Sequence, residues 1–148
     1  MIPRLTWPQP DGTFCKVGAF SSATANQLYA AWLEPAVVGK AIDGVATIEP
    51  TVGGSYCLGK RMTGSIAALE PSRRIVLALR GSAFPKGAPT SHAFIDIAEH
   101  ESGSMMDLAH LGLPSKKVAL AYVGLWRAWA DAVCKAAARA RTRRSAKR

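Results

Sequence analysis

His92, His100 and His110 are the side chains of this 148-residue sequence best suited to proton transfer or metal binding. They follow no HxH or HExxH spacing, so a metal site would need ligands assembled by the fold alone, and no metal is expected. An imidazole takes its pKa from its surroundings. By period-two alternation His110 shares a strand face with Met106 and Leu108, which points it inward as a hydrogen-bonded core histidine or as a ligand-orienting, proton-handling group. Gly54-Ser-Tyr-Cys-Leu-Gly-Lys60 carries glycines and a lysine at the spacing of a phosphate-binding loop. Arg61 follows where a magnesium-holding Ser or Thr is needed, and the surroundings read strand-turn-strand rather than strand-loop-helix. Arg61 and Arg80 flank strands, as exposed strand-end charges that could meet a carboxylate. No GxSxG elbow, paired-carboxylate signature or GxGxxG loop is present. No catalytic residue is assigned and no cofactor is expected.

These residues must be held by identifiable elements. Thr13 to Phe20 reads as a strand, ending at Ser21-Ser22, which can cap a helix. Ala25, Leu28, Tyr29 and Trp32 follow at helical spacing, and Pro35 brings that helix to a stop or a kink. Short β-like pieces lie at Val45 to Ile48 and Ser55 to Leu58, and longer ones at Met62 to Leu69 and Ile75 to Leu79. Gly81 to Pro89 is a loop with an exposed-looking Phe84. Ser91 to Ala98 and Ser104 to Leu111 form a hairpin around Glu99 to Gly103. Pro114-Ser115 then opens a long helix with the apolar stripe Val118, Tyr122, Leu125, Trp126, Trp129 and Val133. An antiparallel sheet needs one face covered, and only this helix is large enough to cover it. A cleft between a curved sheet and a single helix is then the default ligand site.

Apolar residues make up 49% of the chain and charged ones 20%, a globular balance that excludes a disordered body. The net charge of +9 is lopsided. Seven of the 19 basic residues, Lys135, Arg139, Arg141, Arg143, Arg144, Lys147 and Arg148, lie in the last fourteen, leaving 12 against 10 acidic residues elsewhere. The basicity thus describes a tail, and nucleic-acid binding is limited to weak contacts through it. Cys15, Cys57 and Cys134 suit neither a disulfide framework nor a zinc site and have no basic neighbour to flag a thiolate. Met1 to Pro8 contains no apolar signal region, and no run approaches a membrane span. A reducing, cytoplasmic setting without membrane contact is expected.

Several motifs, in order, resemble one family. Phe20 to Ala25 leading to Tyr29-Ala-Ala-Trp32 is similar to the opening strand and helix of the SRPBCC (START-like, helix-grip) superfamily. The nearest branch is the one named for the C-terminal domain of the activator of heat-shock-protein-90 ATPase. Gly53-Gly-Ser-Tyr56 resembles its double-glycine strand start, and Gly64 to Ile75 its strand, acidic-Pro turn, basic residue and strand. Gly103 to His110 is similar to its Gly-Thr strand, and Gly124-Leu-Trp126 with Val133 to the signature of its last helix. The resemblance spans roughly residues 13 to 137.

It implies an α+β helix-grip fold: a curved antiparallel sheet of six or seven strands wrapped on a long C-terminal helix, with a short helix after the first strand. Residues 1–137 form one domain and 138–148 a frayed basic tail. The expected function is a small binding protein holding a hydrophobic or amphipathic small molecule between sheet and helix. Trp32, Tyr56, Arg61, Met106, Leu108, His110, Tyr122, Trp126 and Trp129 are the cavity candidates, with His110, Arg61 and Tyr56 setting ligand orientation. The alternatives are a cyclase- or dehydratase-like enzyme using the same cavity through His110 and a tyrosine, or a chaperone-linked interaction module. A homodimer is compatible with either.

Overall fold

The computed structural model describes residues 13–146, with side chains through residue 140. The arginines and lysines of the tail beyond that point, and the opening segment Met1 to Pro8, lie outside the described residues. The chain runs β1 (Thr13–Ser21), α1 (Ala25–Trp32), α2 (Pro35–Ile42), β2 (Ala46–Ile48), β3 (Tyr56–Leu58), β4 (Met62–Glu70), β5 (Arg74–Gly81), β6 (Ser91–His100), β7 (Gly103–Leu113) and α3 (Lys116–Ala146). The seven strands form one antiparallel sheet in the order β1-β7-β6-β5-β4-β3-β2. This is the helix-grip arrangement the sequence motifs imply.

Two local readings change. The cap of α1 is Thr24 rather than Ser21-Ser22: its hydroxyl accepts from the Gln27 amide at 3.1 Å, and its own amide donates to Gln27 Oε1 at 3.0 Å. This reciprocal box satisfies two otherwise orphaned donors. Ser21 instead donates across the molecule to the Cys134 carbonyl at 2.7 Å, pinning the end of β1 to α3. Pro35 does not merely end a helix; it opens α2 at a first-turn position, where its missing N–H costs nothing.

The sheet curls at two bulges. Ala67 is an extra residue of β4 between the pairs Ile66–Leu77 and Ala68–Val76. Against Phe14, β7 inserts both Leu111 and Gly112, with Gly112 in the left-handed region at φ 78°. Such insertions bend and twist a strand, and here they give the sheet a concave face. The main core fills it with Val17, Ile75, Leu77, Leu79, Ile95, Leu108, Trp126 and Val133, among others from strands and helices. A smaller apolar cluster, Val76, Phe94, Ala109 and Leu111, sits on the opposite face and includes no helix residue.

Candidate functional site

His110 stands at the centre of the concave face with no exposed surface. Trp126 Nε1–H donates to its Nδ1 at 2.9 Å. That bond requires an unprotonated Nδ1, so the proton of the neutral ring sits on Nε2 and is donated to Ser91 Oγ at 2.7 Å. Ser91 in turn donates to the Leu79 carbonyl at 2.9 Å. The relay runs from α3 through β7 and β6 to β5, and it ends on backbone. Burial, helped by the nearby charge of His92, pushes the His110 pKa down to about 3. Its imidazole is neutral, with both nitrogens engaged, and serves as a polar fastener in an apolar core.

Aromatic side chains close around it. Tyr122 stacks on the imidazole at 5.9 Å, Trp126 meets it edge-on at 5.7 Å, and Trp126 contacts Trp129 at 5.3 Å and Trp32 at 6.4 Å. Trp32 Nε1–H points at Met106 Sδ, 3.4 Å away, while Tyr56 Oη donates to the Trp32 carbonyl at 2.6 Å. Burial raises the pKa of Tyr56 well above that of an ordinary phenol. The fold thus gathers Trp32, Tyr56, Met106, Leu108, His110, Tyr122, Trp126 and Trp129 into one buried cluster. Arg61 does not join them: it lies exposed in the β3–β4 turn, where its charge still reaches Tyr122. Arg80 is likewise exposed, and the segment from Gly54 to Arg61 is strand and turn, with no helix for a phosphate to rest on.

Phe84 is half-buried, not exposed as its loop suggested, and stacks on the outer side of Tyr122 at 5.9 Å. Gly81 makes room for this layer, since a Cβ there would fall 1.9 Å from Tyr122 Oη. Tyr122 Oη itself is buried without a hydrogen bond, beside the Ala83 backbone.

Open space lies elsewhere along the same helix. A groove of about 470 Å³ runs between the start of β1 and the first two turns of α3, lined by Thr13, Phe14, Cys15, Lys116, Ala119, Leu120 and Val123. Its volume falls within the usual range for small-molecule sites. Leu120 is 74% exposed and Phe14 44%. Among the described lining residues Lys116 carries the one charge. Burial pushes the Cys15 thiol up to about 11, so it is an apolar wall rather than a nucleophile. None of the nine residues singled out from sequence lines this groove. The available signal was a second stripe on α3, Lys116, Ala119 or Leu120, and Val123, beside the tryptophan stripe. Among the described residues no cluster of three or more His, Cys, Asp or Glu could hold a metal ion, and no helix is long and apolar enough to cross a membrane.

A long helix gripped by a seven-stranded antiparallel sheet defines an α+β protein of the helix-grip class. The chain belongs to the family described as Activator of Hsp90 ATPase homolog 1-like protein, which matches residues 22–135. Solved structures share the fold. The AHSA1-like protein of Rhizobium etli is 24% identical, with a TM-score of 0.63 over 87% of this chain and 84% of its own. The Aha1 dimer of Colwellia psychrerythraea is 12% identical, with a TM-score of 0.65 over 82% and 96%. An HSP90 activator of Plasmodium falciparum is 15% identical, with a TM-score of 0.62 over 70% and 75%. No curated protein matches the sequence.

Proposed function

We propose that this protein is a cytoplasmic carrier of a hydrophobic or amphipathic small molecule, held between the sheet edge and the C-terminal helix. The observation that carries this reading is the β1–α3 groove, apolar along its length with Lys116 at one end. An acyl or aromatic body would lie against Phe14, Ala119, Leu120 and Val123, with an anionic end turned to the lysine. Affinity would come chiefly from apolar area removed from water, at about 25 cal/mol per Å². The aromatic cluster around His110 contributes none of the groove's described lining. Three cysteines outside any disulfide support the reducing compartment. Titration with 8-anilinonaphthalene-1-sulfonate, an apolar anion, tests the site. Saturable binding to one site that Leu120→Asp weakens about tenfold or more is expected; binding unchanged in that variant overturns the assignment.

A second reading, a chaperone-linked module that also dimerises, draws on the family match and on the likeness to an HSP90 activator and to a protein solved as a dimer. Stimulation of a purified Hsp90 ATPase by the full chain, and a doubled mass in sedimentation, are the outcomes it requires.

A further inference from the structure

One face of α3 is open to solvent. The tryptophan stripe turns inward, and on the opposite side Lys117, Leu120, Ala121, Gly124, Ala128 and Asp131 recur at helical spacing, all of them exposed. Leu120 leaves most of its apolar side chain in water. Gly124 sits at the middle of this face, where an added Cβ would meet nothing within 4 Å. No contact inside the described molecule therefore calls for a glycine there, and glycine weakens a helix interior relative to alanine. What a bare Cα on an exposed helix face does allow is the close approach of a second helix, since the side chains at the contact set how near two axes can come.

We propose that this face is the contact between two copies of the chain, their α3 helices antiparallel and crossing at Gly124. The proposal rests on the dimer of the second reading above and supplies its surface. Charge selects the occupant. A two-fold axis at Gly124 sets each residue against the one equally far along the other helix, so Lys117 faces the partner's Asp131, and Leu120 faces the partner's Ala128. The symmetry makes each contact twice. Parallel helices in register would instead set lysine on lysine and aspartate on aspartate, which is repulsive. Lys117 has no ion-pair partner among the described residues, and Asp131 holds Lys135 at 3.1 Å in a pair that is largely exposed, so its carboxylate can accept a second ammonium. Ala121, Gly124 and Ala128 keep the centre of the strip low, and Leu120 leaves water against the opposing helix. From Lys117 to Asp131 the strip is about 21 Å long and one helix face wide. That is smaller than a permanent interface, so the dimer forms as concentration rises.

Sedimentation equilibrium of the full chain over a range of concentrations tests this. A mass that climbs from 15.7 kDa toward twice that value is expected. Gly124→Leu should weaken association about tenfold or more. Gly124→Ala should weaken it less while raising the urea midpoint of the dilute monomer, the opposite of what damage to the fold would do. Lys117→Asp and Asp131→Lys should each weaken association, and the double variant should restore it. A mass of 15.7 kDa at every concentration overturns this interface and the dimer of the second reading together. A dimer that persists unchanged in Gly124→Leu, or whose association the double variant fails to restore, overturns the interface alone.

Discussion

Two adjoining stripes of α3 divide the work that sequence reading would assign to one. Around His110 lie the chemically versatile groups, five aromatic residues, an imidazole and the Ser91 hydroxyl, and every one is buried. Along the β1–α3 groove the described lining is plain, mostly apolar with the one ammonium of Lys116, and there the molecule is open. Versatile side chains are bulky, and bulk is what a curved sheet needs to fill the space beneath a single helix. The lesson is that residue type marked the fastening of the fold, while accessibility marked a groove of plainer side chains.

The comparison breaks most sharply at Trp126. Trp126→Ala opens a cavity and strips His110 Nδ1 of its donor, so a loss of about 3–5 kcal/mol or outright unfolding is expected in urea denaturation. A change at Leu120 should do the reverse. Leu120→Asp removes apolar contact from the groove at an exposed position; affinity for the sulfonate probe should fall about tenfold or more while stability moves by no more than about 0.5 kcal/mol.

Acid should also separate the two regions. With its folded pKa at about 3 against an ordinary value of 6.5, His110 stays neutral in the native protein while the unfolded chain takes up a proton. Stability is therefore fully present above pH 6.5 and falls by up to about 1.4 kcal/mol per unit as pH drops toward 3. His110→Gln should flatten that slope in denaturation series at pH 7 and pH 4, at some cost at neutral pH, and leave the groove's affinity alone. An undiminished slope in the variant would assign the acid sensitivity to other groups. Tyr122→Phe removes a buried hydroxyl without a hydrogen bond and should leave stability unchanged or raise it by up to about 1 kcal/mol. The smallest effect belongs to Lys116→Ala, a twofold to fivefold loss of affinity for the anionic probe, about what an exposed ion pair supplies, and one that vanishes in high salt.

Much of the architecture was legible because periodicity reports burial directly. Alternation put Met106, Leu108 and His110 on one face, and Ala93, Ile95 and Ile97 on another, and both sets point into the core. The α3 stripe through Tyr122, Trp126, Trp129 and Val133 is likewise inward. α2 was missed because a proline reads locally as a break, although the same ring suits the first turn of a new helix. Phe84 looked exposed because glycine and proline surround it, and only the stack on Tyr122 holds it down.

By itself the sequence determined the order of the strands and of the first and last helices, the inward faces and the family, since these follow from local spacing and from motifs that keep their order along the chain. Tertiary structure alone decided that Trp126 and Ser91 take up both nitrogens of His110, that Arg61 stays in solvent, and that open volume falls between Thr13 and Val123. Those outcomes depend on how far two bulges curl the sheet and how closely α3 settles into it, distances that arise between residues up to about a hundred positions apart and leave no trace in any local pattern.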